Sequence, residues 1–77
     1  MINWEEVTEE ELLALLPKTY NLAILKPSQL YIIKLWLGED IKAIRSIEDC
    51  SRITGMAETA IFAILKQAII TLRQIGK

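Results

Sequence analysis

The sequence predicts an all-α fold: a four-helix small domain with a C-terminal helix-turn-helix. Three observations carry that expectation. Apolar residues recur at helical spacing late in the chain, where Ile61, Ile64, Leu65, Ala68, Leu72 and Ile75 fall within about 100° of arc. Helix punctuation recurs along the chain, with Ser, Thr or Asn ahead of an acidic residue, Pro27 at a start, and Gly38, Gly55 and Gly76 at ends. No stretch alternates apolar and polar residues in the manner of a strand.

The first helix has two candidate starts. Asn3 with Glu6 and Thr8 with Glu11 each form a capping pattern. The helix therefore covers residues 4–16, or 9–16 if the second box is the start. Pro17 ends it, because proline clashes with the preceding turn and lacks the amide donor. Val7, Leu12, Leu15 and Leu16 share one side, which should pack on the rest of the chain. Residues 18–26 read as a linker, partly buried through Leu22, Ile24 and Leu25.

The second helix covers residues 27–37, with Pro27 in its first turn and Gly38 as the left-handed residue after it. It is apolar almost all round, interrupted only by Gln29 and Lys34 among its later positions. Such a helix is expected to be surrounded, by its own domain or by a second copy. Residues 39–45 form a connector, anchored by Ile41 and Ile44, with room for an extra helical turn. Ser46 with Asp49 caps a third helix over residues 47–53. Thr54 and Gly55 make a turn, and a fourth helix covers residues 57–75 with Gly76 as its stop.

A helix-turn-helix needs an apolar side on its first helix, a residue that accepts an unusual backbone angle in the turn, and a second helix that is apolar inward and polar outward. Ile47, Cys50 and Ile53 meet the first need, and Gly55 the second. The outward side of the last helix carries Thr59, Phe62, Ala63, Lys66, Ile70, Arg73 and Lys77. A DNA reader would use the early positions of that face to reach base edges, through Arg, Asn, Gln or Lys. Here those positions are Glu58, Thr59, Phe62 and Ala63. Phe62 and Ile70 lie outside the inward arc, and with Ala63 they suggest an occluded surface. Tyr31 and Trp36 on the second helix add surplus apolar area of the same kind. The competing reading is that these residues complete the core of a compact bundle.

Composition bounds the rest. The 77 residues allow one domain, residues 1–77, with an acidic N-terminal helix and linker over 1–24. The hydrophobic fraction of 52% supplies a core, yet a domain this small gains from a partner or a self-dimer. Residues 1–16 hold five Glu and no Lys or Arg, a charge of −5. Residues 17–77 hold nine Lys or Arg against five Asp or Glu, a charge of +4. The acidic stretch is either a solubilising helix face or an arm that lies on the basic body. With a net charge of −1, the chain is not expected to bind polyanions in general. Cys50 is the one cysteine, so no internal disulfide forms, and a reducing, cytoplasmic setting is expected. No apolar run reaches the roughly 18 residues of a membrane span, and no signal peptide is expected.

Histidine is absent, and the acids are scattered, so no metal set, cofactor site or small-molecule site is expected. Ser28, Ser46 and Ser51 have no histidine base, and Cys50 faces the apolar side of its helix. No catalytic residue emerges, and the chain is not expected to be an enzyme.

The segments LKPSQLYIIKLWLG and SIEDCSRITGMAETAIFAILKQAIITLR carry a family pattern. The first is an apolar helix ending in Gly. The second is a short helix, a turn and a long helix ending on Ala68, Ile69, Leu72 and Arg73. Residues 25–73 thus resemble region 4 of bacterial sigma-70-type factors, and more distantly the LuxR-type helix-turn-helix. The resemblance implies that Glu58, Thr59, Phe62 and Ala63 match the positions that read promoter DNA in that family. It also implies an apolar groove that docks on RNA polymerase.

Together these features lead to an expected non-enzymatic, transcription-associated protein that works mainly through protein contacts, with itself as a dimer or with the transcription machinery. The candidate protein interface is Tyr31, Trp36, Phe62, Ala63 and Ile70. The alternatives are a DNA-binding regulator and a structural interaction module unrelated to transcription. For DNA the candidate contacts are Arg45, Arg52, Glu58, Thr59, Lys66, Arg73 and Lys77.

Overall fold

The computed structural model describes residues 2–38 and 46–75. The chain is all-α. Among the described residues four α-helices follow one another as α1 (Glu9–Leu15), α2 (Pro27–Leu37), α3 (Ile47–Thr54) and α4 (Glu58–Ile75), with a 3-10 turn at Leu22–Ile24. No strand occurs among the described residues.

Local chemistry sets most of the boundaries. The second capping box starts α1: the Glu11 amide donates to Thr8 Oγ1 at 3.2 Å, and the Thr8 amide donates to Glu11 Oε1 at 3.2 Å. The longer first helix over residues 4–16 does not form. Asn3 Oδ1 instead accepts the Glu5 amide, which leaves an isolated turn at residues 4–6 before an extended Thr8. Leu16 is extended ahead of Pro17, as the proline ring requires of its predecessor. Asn21 caps the short 3-10 turn through its bond with the Ala23 amide.

Gly38 has φ 62 and closes α2 through its amide to the Leu35 carbonyl at 3.2 Å. Ser46 caps α3 by accepting the Asp49 amide at 3.1 Å. Gly55 has φ 75, a left-handed conformation that lets α3 end and the chain turn. Thr54 belongs to α3, so the turn proper is residues 55–57 and α4 starts at Glu58. The predicted connector, with Ile41, Ile44 and its extra turn, and the predicted stop at Gly76 lie outside the described residues.

The core forms where α1, α2 and α3 all pack on α4. Its fully buried members include Leu12 of α1, Ile32, Ile33 and Trp36 of α2, Cys50 of α3, and Ile61, Leu65, Ala68, Ile69 and Leu72 of α4. The buried arc of α4 is rotated by about 40° from the expected one. Ile69 enters the core, and Ile64 stays half-buried at its edge. The helix carries isoleucine on several sides, and the placement of its neighbours decides which side is covered.

On α2 the expected enclosure holds for most of the helix. Leu30, Leu35 and Leu37 are partly buried against the core, whereas Tyr31 remains 57% exposed. On α3 one expectation is overturned. Ile53 is 50% exposed and is not among the buried core residues. It points roughly 90° away from the side that holds Ile47, Cys50 and Thr54, at 3.6 residues per turn. Thr54 takes the inward place, where its hydroxyl donates to the Cys50 carbonyl at 2.8 Å.

Candidate interaction surface

The chain bends by 113° between α3 and α4. Side chains brace the bend from within. Ser51 Oγ donates to the Met56 carbonyl at 2.6 Å, crossing the turn. The Met56 amide donates to Thr54 Oγ1 at 3.1 Å, and the Gly55 amide returns to the Ser51 carbonyl at 2.9 Å. Two hydroxyls thus satisfy both backbone groups of Met56 in the turn. Met56 packs on the core, and the Ala57 carbonyl accepts from the Ala60 and Ile61 amides to begin α4.

Around this bend the outward side chains are largely apolar or acidic. Ile53, Ala57, Glu58, Thr59 and Ala63 are exposed. Arg52 is exposed as well, and it pairs with Asp49 one turn back on α3. Along α4 from Glu58, the first cation is Lys66, about 12 Å from the helix start at 1.5 Å per residue. Its Nζ lies 4.8 Å from the centre of the Phe62 ring, a cation–π contact along one helix face.

The expected interface residues separate into two groups. Trp36 is 0% exposed and belongs to the core, so it is not a surface residue. Its indole N–H donates to Glu9 Oε2 at 3.2 Å, which supplies the polar partner that a buried indole needs. Phe62 is half-buried and packs against the core at the border of the buried arc of α4. Tyr31 and Ala63 are exposed, and Ile70 is half-buried.

The expected DNA contacts also divide. Glu58 and Thr59 sit exposed on the first turn of α4. Arg73 is exposed but already employed, since its Nη1 donates to the Leu15 carbonyl at 3.0 Å and closes the end of α1. Arg45 and Lys77 lie outside the described residues. Two outward residues escaped the sequence reading. Gln67 and Gln74 are exposed on the same strip as Thr59 and Ala63, at positions that the helical period alone would have located.

Among the described residues, no single helix is long and apolar enough to cross a membrane. Comparison with family models, with curated proteins and with solved structures gave no match to this chain.

Proposed function

We propose that this chain is a non-enzymatic helix-turn-helix protein associated with transcription, and that it works mainly through protein contacts made around the α3–α4 turn. Its partner is a second copy or a component of the transcription machinery. The observation that carries the reading is the chemistry of that surface. Ile53, Ala57 and Ala63 are exposed, Glu58 would repel phosphate, and α4 carries no cation before Lys66. Protein interfaces tolerate and use such apolar area, whereas phosphate contacts need cations.

The motif itself is supported by the 113° bend, the three-residue turn and the left-handed Gly55. Those features suit a helix-turn-helix, in which two helices meet at roughly 90–120° across a short turn. The link to transcription rests on the resemblance of residues 25–73 to sigma region 4. Sedimentation equilibrium of the wild type, paired with retrieval of a tagged chain from cells, tests the reading. Self-association or a recovered polymerase or regulator subunit is expected. A monomer at high concentration with neither partner overturns it.

One observation favours direct DNA binding as the second reading. Thr59, Gln67 and Gln74 form a polar, exposed line on α4, with Lys66 beside it. A glutamine amide can pair with the edge of an adenine. That reading requires a shift of a random DNA pool at low salt, and binding that weakens steeply as salt rises.

A further inference from the structure

One carboxylate oxygen joins three helices. Glu9 opens α1, and its Oε2 accepts the Trp36 indole N–H of α2 at 3.2 Å. The same oxygen accepts the backbone amide of Ile47, the first residue of α3, at 3.2 Å. The first amides of a helix have no partner within it, and their partial positive charge favours a carboxylate. Ser46 takes the Asp49 amide, so Glu9 serves a donor that the local cap does not. At its other end α1 is fastened by Arg73 of α4 through the Leu15 carbonyl. Between the two ties Leu12 is fully buried.

We infer that α1 is a strap, and that Glu9 is the positioning residue through which it fixes where α3 begins. The α3–α4 bend hangs from that start, so docking of α1 and engagement of the bend are coupled. Coupling of this kind is reciprocal: whatever grips the bend also tightens the strap by the same factor. The consequence for binding rests on the function proposed above, but the strap itself does not.

Amide and indole hydrogen exchange, followed by NMR on the free protein, tests the strap with no partner present. Loss of the two charge-assisted bonds in Glu9→Ala should raise the exchange rates of the Ile47 amide and the Trp36 indole by about tenfold. Signals along α3 and into residues 55–57 should shift with them. Glu9→Gln, which keeps an acceptor oxygen, should recover most of the protection, and Glu10→Ala should change neither probe. Unchanged exchange at Ile47 and Trp36 in Glu9→Ala overturns the inference, as do unchanged signals in α3. Should Glu9→Ala fail to fold, the wild type still decides. Exchange of its Ile47 amide at the rate of an open chain overturns the strap, and slowing of at least tenfold supports it. A dimer or partner lost in wild type and variants alike would sink the proposed function while leaving the strap intact.

Discussion

The Ser51 hydroxyl reaches across the turn to the Met56 carbonyl at 2.6 Å, so a residue inside α3 fixes the residue that leads into α4. Ser51→Ala removes that donor and leaves the carbonyl to find water or nothing. A loss of about 1 kcal/mol is expected, as for a typical intramolecular hydrogen bond in a partly buried place. Urea unfolding with an unchanged slope would check it.

Gly55 gives a cleaner test of backbone strain. Nothing lies within 4 Å of a Cβ built there, so alanine meets no clash, and for it only φ 75 is at issue. Gly55→Ala should cost about 1–2 kcal/mol through the left-handed conformation alone. Gly55→Asn should cost less, because asparagine visits that region more readily. Equal losses for the two variants would point to a cause other than φ.

Leu65 and Ile53 form a contrasting pair. Leu65 is fully buried at the centre of α4, and Leu65→Ala should lose about 2–5 kcal/mol through transfer and cavity terms. That is a large share of the stability of any domain this size. Ile53→Ala should stay within about 0.5 kcal/mol, because half of the side chain already faces solvent. Thermal melts of both variants check the contrast. A large loss at Ile53 would place it in the core after all.

The local half of the fold was legible in the sequence. Thr8 with Glu11, Ser46 with Asp49, Gly38 and Gly55 act within one turn of chain, so their residue types announce them. What depends on distant neighbours was not. Isoleucine and leucine surround so much of α4 that composition could not choose between Ile64 and Ile69 as the buried residue. The arrangement of α1, α2 and α3 around α4 chooses. Trp36 looked like surplus surface because its polar partner, Glu9, lies 27 residues away in sequence. Ile53 followed the apolar count of α3, yet Thr54 filled the inward place by satisfying a carbonyl. At the candidate surface, Thr59 and Ala63 stand outward as the helical period requires, and Gln67 follows from the same period, whereas Glu58 shares the side of Ile61 and Leu65 and is exposed because it opens the helix.

Lys66 separates the two functional readings. Lys66→Ala removes its contact with the Phe62 ring, worth about 0.5–1 kcal/mol at a solvent-accessible site. Under the protein-contact reading that small loss of stability is its main effect. Under the DNA reading the variant also binds nucleic acid more weakly at every sequence, with a shallower dependence on salt. Stability and DNA titration measured on the same preparation decide between them.

The most direct test places a photo-reactive amino acid at Ala63, on the exposed strip of α4, and irradiates living cells that express the chain. The account predicts a covalent adduct with protein, either a second copy or another polypeptide, that disappears when Ile53→Lys is added. An adduct with nucleic acid, or no adduct beyond background, would contradict it.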